Sequence, residues 1–218
     1  MKLYTYFRSS AAYRVRIALE LKGLGFEALP VHLLRDGGEQ LQAAYRAINP
    51  AGLVPALDDG GAIVTQSLAI LEYLDETRPQ TPLLPADPAG RARVRALALT
   101  MAADTHPLGN LRVLKYIKGE LGQTEAAKLA WQQHWLRTGM DTLEALLAAN
   151  KPIGSGRPTV WPMTWSRWVL AKRVKSGMFS ASVAQKPTIA VSDGQNTAQN
   201  WPAFLPPATN CDGWSSRC

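Results

Sequence analysis

The chain has 218 residues, 46% of them hydrophobic and 19% charged, enough apolar matter for a core and too much for a disordered chain. No apolar run is long enough to span a membrane, and Met1-Lys2 leads into an apolar segment with no secretory leader, so a cytoplasmic protein without a membrane partner is expected. The net charge of +7 marks no nucleic-acid-binding face, because residues 1–150 hold 16 Lys and Arg against 15 Asp and Glu and the excess sits in residues 151–218, with 8 against 2.

In chain order, residues 2–6 read as a strand and residues 11–22 as a helix that Gly23 stops. Ser9 and Ser10 stand where that helix begins. A helix start exposes unpaired N–H groups and the positive end of the helix dipole, so a serine there either caps the helix or shares an anion with it. Residues 26–31 form a second strand, and a polar loop over 35–39 leads into a short helix near 40–47. Two apolar runs joined by Asp58-Asp59-Gly60-Gly61 make a β-hairpin. Thr65-Gln66-Ser67 caps a helix over 67–77 with Leu68, Leu71 and Leu74 on its buried side.

Residues 78–89 carry four prolines and read as a linker. A helical pattern follows over 90–104, with Val94, Leu97 and Met101 inward and Arg91, Arg93 and Arg95 solvated. Pro107 breaks it just after His106. The helix resumes through Leu111, Val113, Leu114 and Tyr116, and another runs over 124–149. His32, His106 and His134 are too scattered for a zinc site, and Cys211 and Cys218 form no disulfide framework, so no metal is expected.

Arg8-Ser9-Ser10 followed by Arg14-Val15-Arg16-Ile17-Ala18-Leu19 resembles the signature of the zeta-class glutathione transferases, the maleylacetoacetate isomerases, with Ala11 where the family has a cysteine. Asn49-Pro50 through Val54-Pro55 and Gln66-Ser67 through Leu74 continue the resemblance in order and spacing. It implies an α/β thioredoxin-like domain over 1–78, a linker over 79–89 and an all-α domain over 90–218. The implied cofactor is glutathione, bound by Ser9, Ser10, Gln40, Val54, Pro55, Gln66, Ser67, His106, Asn110 and Arg112. The Val54-Pro55 bond is cis in the family, and Val54 pairs with the cysteinyl unit through its backbone. The catalytic residues implied are Ser9 and Ser10, which favour the thiolate, and Arg8 and Arg112, which meet the two carboxylates of a diketo-dicarboxylate substrate. The implied reaction is the cis–trans isomerisation of maleylacetoacetate to fumarylacetoacetate by a homodimer. Maleylpyruvate isomerisation, general glutathione transfer or dehalogenation, and a glutathione-binding protein inactivated by its C-terminus are the alternatives.

The resemblance stops near residue 159. There the family continues Pro-Thr-Leu-Ala-Asp into a buried helix, whereas this chain reads Pro158-Thr159-Val160-Trp161-Pro162-Met163-Thr164-Trp165 and stays rich in Trp and poor in acid to its last residues. Trp-Pro-Met-Thr-Trp is encoded TGG-CCN-ATG-ACN-TGG. Moved one base back, the frame allows Val-Ala-Asp-Asp-Leu after Thr159. A frameshift near residue 160, in the gene or in its reading, is therefore expected. Pro187-Thr188-Ile189 and Trp201-Pro202-Ala203-Phe204 are family-like again, as if the frame recovers. Sequencing the DNA through this point is expected to show the displaced base; an uninterrupted frame matched by peptide masses would overturn the reading.

Overall fold

The computed structural model describes residues 1–148, which all belong to one compact unit. The end of the last helix, the Pro158-Thr159 segment and the altered stretch from 160 lie outside the described residues. Strand β1 (Lys2–Thr5) pairs in parallel with β2 (Glu27–Pro30) and antiparallel with β3 (Ala56–Asp59), which pairs antiparallel with β4 (Ala62–Thr65). The sheet order is β2-β1-β3-β4. Leu3 stands between Ala28 and Leu57 in this register, and both leucines are fully buried. Gly60 and Gly61 turn the β3–β4 hairpin at positive φ (67° and 100°), a region that costs glycine no Cβ clash.

Helix α1 (Ser10–Leu21) crosses from β1 to β2 and buries Ala12, Val15, Ala18 and Leu19, the spacing of one helical face. A one-turn helix, α2 (Ala43–Arg46), follows β2, and α3 (Ser67–Thr77) returns beside α1 with Ile70, Leu71 and Leu74 inward. The expected β-α-β-α-β-β-α order is thus realised, with Ile70 taking the place given to Leu68, which is only partly buried.

The helical part departs from expectation at its start. Helix α4 runs Pro88–Leu99, two residues earlier than the proline count suggests: Asp87 caps it through the Gly90 N–H (2.7 Å), and Pro88 fills a first-turn position that needs no N–H. Arg95 is not simply solvated but forks onto both oxygens of Glu72 in α3 (2.7 Å each). Nor is the linker a break in packing. Leu83, Leu84, Val94 and Ala98 share one apolar cluster with Leu3, Val15 and Ile70.

After Leu99 the helix widens into a π-helical turn, Thr100–Thr105, in which the Thr105 hydroxyl donates to the Thr100 carbonyl (2.8 Å). A 3₁₀ turn (His106–Gly109) follows, where Pro107 offers no N–H to continue the ladder. Helix α5 (Leu111–Gly119) and helix α6 (Glu125–Ala148) complete the described chain. Gly139 of α6 lies so close to Thr105 that a Cβ would collide with it.

One buried ion pair joins these parts. Lys22, just past α1, directs all three ammonium protons inward: to Asp75 Oδ1 (2.8 Å), the Arg78 carbonyl (3.0 Å) and the Thr81 carbonyl (2.6 Å). Asp75 also accepts the N–H groups of Leu83 (2.7 Å) and Leu84 (3.2 Å). The two side chains are 1% and 8% exposed, so removing one strands the other charge away from water. Lys22→Met is expected to lower stability by about 3–5 kcal/mol in urea unfolding, whereas Lys118→Met, which breaks an exposed pair with Glu125, leaves it nearly unchanged.

Candidate active site

A cleft of about 720 Å³ opens between the first turn of α1 and the segment from Thr105 to Lys115. That volume lies within the usual range for small-molecule sites. Arg8, Ser9 and Ser10, Gln40, Gly52, Leu53 and Val54, and His106, Asn110 and Arg112 all line it. The structure thus brings together eight of the residues singled out from sequence. Pro55 is buried behind Val54, and Gln66 and Ser67 sit at the start of α3, outside the lining of the cleft.

Ser9 is the N-cap of α1 in extended conformation, its Oγ accepting the Ala12 N–H at 3.2 Å. The capping role is therefore filled, and the Ser9 hydroxyl proton remains available to donate. Ser10 is the first helical residue and makes no side-chain hydrogen bond among the described residues. Two hydroxyls thus flank the open end of the helix dipole, where negative charge is stabilised.

The Val54-Pro55 bond is cis. The Leu53 carbonyl accepts from the Tyr45 hydroxyl and from Asn49 Nδ2 (2.7 Å each), which fixes the approach to the cleft, and burial pushes the Tyr45 hydroxyl up to about 12 so that it stays a donor. Neither the N–H nor the C=O of Val54 enters a backbone hydrogen bond among the described residues. Gln40 is buried with Nε2 donating weakly to the Leu33 carbonyl (3.4 Å), and its Oε1 has no partner. A buried acceptor in that position calls for a donor from the cleft.

Helix α3 begins differently from expectation: Gln66 is its N-cap at φ 67°, and no side chain caps the first turn. Its opening N–H groups are left for another acceptor, and the left-handed backbone of a non-glycine residue costs on the order of 1–3 kcal/mol.

On the helical side Asn110 caps α5 by accepting the Arg112 N–H (3.1 Å), and the exposed Arg112 guanidinium has no partner among the described residues. His106 is partly open to the cleft. Burial, assisted by the charge of Arg14, pushes its imidazole down to about 4, so it is neutral at physiological pH. Arg14 is itself buried, which pushes it down to about 10, and its Nε lacks a partner.

Sequence reasoning missed Thr105, Trp135, Arg46 and Lys115, which also line the cleft. For Lys115 a signal was present, since it lies three residues beyond Arg112 on the same helix face. Trp131 Nε1 donates to the Leu108 carbonyl (2.8 Å) and holds the 3₁₀ turn against α6. Among the described residues the cleft is lined by Arg8, Arg46, Arg112 and Lys115 and by no Asp or Glu.

The low-lying His106 has a linkage consequence. Its folded-state pKa is below the unfolded 6.5, so unfolding takes up a proton in acid: the stability is complete above about pH 6.5 and falls as pH drops toward 4. His106→Gln is expected to lessen the loss of stability between pH 7 and pH 4.5 by about 2 kcal/mol, read as the difference between the two proteins' denaturant midpoints at each pH.

The family model for "Glutathione S-transferase, N-terminal domain" matches residues 3–82. A probable maleylacetoacetate isomerase from Vibrio cholerae is 52% identical over 145 residues, 66% of this chain and 67% of that protein. A maleylpyruvate isomerase from Ralstonia sp. is 49% identical over 154 residues, 71% of this chain and 72% of that protein. A crystal structure of maleylacetoacetate isomerase from Methylobacterium extorquens AM1, with malonate and glutathione bound, superposes with a TM-score of 0.76 at 40% identity, covering 84% of this chain and 86% of that one.

Proposed function

From a chain that belongs to the zeta-class glutathione transferase family, that of the maleylacetoacetate and maleylpyruvate isomerases, we propose a glutathione-dependent cis–trans isomerase that converts maleylacetoacetate to fumarylacetoacetate. One arrangement carries the reading: the hydroxyl-flanked start of α1 shares with Arg112 and a neutral His106 a cleft lined, among the described residues, by cations and no acids.

The residues present fit glutathione. Val54 offers an unpaired N–H and C=O to its peptide backbone, Gln40 an orphaned acceptor, and the uncapped first turn of α3 at Gln66 and Ser67 a seat for the γ-glutamyl carboxylate. Pro55 sets Val54 in place, and His106 and Asn110 close the helical side. When bound, glutathione supplies a thiol whose reversible addition to the cis double bond lets that bond rotate.

The protein's part is electrostatic. Ser9 and Ser10 donate hydrogen bonds at the positive end of α1, which lowers a thiol from its free value of about 8.5 and raises the thiolate fraction at neutral pH. Arg8 and Arg112 hold the two carboxylates, the guanidinium fork matching each in plane. His106, neutral above about pH 4, accepts a hydrogen bond without adding charge. Ala11 in place of the family cysteine removes none of these donors. The protein acts as a cytoplasmic homodimer in this reading, and maleylpyruvate is the alternative substrate, because one relative at 49% identity is named a maleylpyruvate isomerase and the same cations serve that substrate.

Purified protein is mixed with maleylacetoacetate, with and without glutathione, and coupled to fumarylacetoacetate hydrolase, after which free thiol is titrated. Turnover that needs glutathione and leaves its thiol unspent is expected. Consumption of thiol would mean transfer or dehalogenation instead. Retention on immobilised glutathione without turnover would mean a binding protein only.

A further inference from the structure

Helix α5 carries three cations, and the structure separates them. Lys118 is tied to Glu125 (3.0 Å) and does not line the cleft. Arg112 and Lys115, one turn apart, both line it, and neither has an acidic partner among the described residues. Leu111 and Leu114 lie between and beside them on the same wall. The helix therefore presents two fixed positive charges separated by apolar surface.

Residues at i and i+3 have Cβ atoms about 5–6 Å apart. Their long side chains can meet two carboxylates on one short carbon chain, while the leucines pack against the carbons between. Among the described residues no Asp or Glu lines the cleft, so none of them neutralises Lys115 in advance. A dianion satisfies more of this positive charge than a monoanion does.

We propose that Lys115 is a specificity-determining residue: it adds a further cation to Arg8 and Arg112 at the substrate's two carboxylates and so makes the cleft select dicarboxylates over monocarboxylates. The inference rests on the reading of the cleft as an isomerase site, yet it concerns binding and is tested by binding. Succinate and its monomethyl ester, inert acids of equal length and different charge, are titrated by calorimetry into the full-length protein with glutathione present. Lys115→Gln is expected to weaken succinate about five- to tenfold and to leave the ester unchanged. Lys115→Arg is expected to restore succinate binding.

Equal weakening of both acids by Lys115→Gln, or of neither, would overturn the proposal. So would a wild-type protein that binds the ester as well as succinate. The isomerase reading fails separately, through absence of glutathione-dependent turnover in a wild-type protein that still prefers succinate. Where turnover is present, Lys115→Gln raises KM for the dianionic substrate more than it lowers kcat, a split that a general loss of structure does not produce.

Discussion

The Lys22–Asp75 pair is the constraint on which the arrangement depends. It closes the C-terminal end of α1 onto α3 and onto the segment leading to α4, with every ammonium proton and both carboxylate oxygens occupied. A buried pair gains little over well-packed apolar groups, so its contribution lies in geometry more than in net stability. Both oxygens of Asp75 are held by groups that only one chain path supplies. With the far end of α1 fixed in this way, its first turn is aimed at the cleft, and Arg95 on Glu72 adds a second tie between α3 and α4.

What is left over is polar backbone and a hydroxyl: among the described residues, Ser9 caps the start of α1 while the Ser10 hydroxyl makes no side-chain hydrogen bond, no side chain caps the start of α3, and the N–H and C=O of Val54 have no backbone hydrogen bond. Ser10 and Val54 line the cleft itself, whereas the start of α3 lies outside its lining. The cationic lining then gives a polar molecule bound in the cleft, and a companion to it, a sign.

Much of this was legible in the sequence. The alternation and turn residues around β3 and β4 and the spacing along α1 and α3 are local signals, and the structure keeps to them within a residue or two. Arg8, Ser9, Ser10, Val54 and Arg112 were found through a family pattern, and they meet at one cleft. What was not legible depends on partners distant in sequence. Pro88 reads as linker until Asp87 is seen capping a helix, Arg95 reads as surface until Glu72 is opposite it, and Gln66 reads as an ordinary cap until its backbone is seen at positive φ. The π-helical turn was invisible because the contact that accompanies it is distant in sequence: Gly139, 34 residues downstream, lies so close to Thr105 that a Cβ would collide with it.

That turn bears on where His106 lies. A π-turn is what a helix looks like after gaining one residue without losing its continuity. Each residue advances an α-helix by about 100°. The stretch Thr100–Thr105 thus works as an angular offset, setting the phase of everything after it. Were one residue lost there and the regular ladder restored, His106 would swing away from the cleft while α4 and its core contacts stayed as they are. The π-turn thus sets the rotation of the cleft-lining turn separately from that of the helix face that packs, two properties that a regular ladder would lock together.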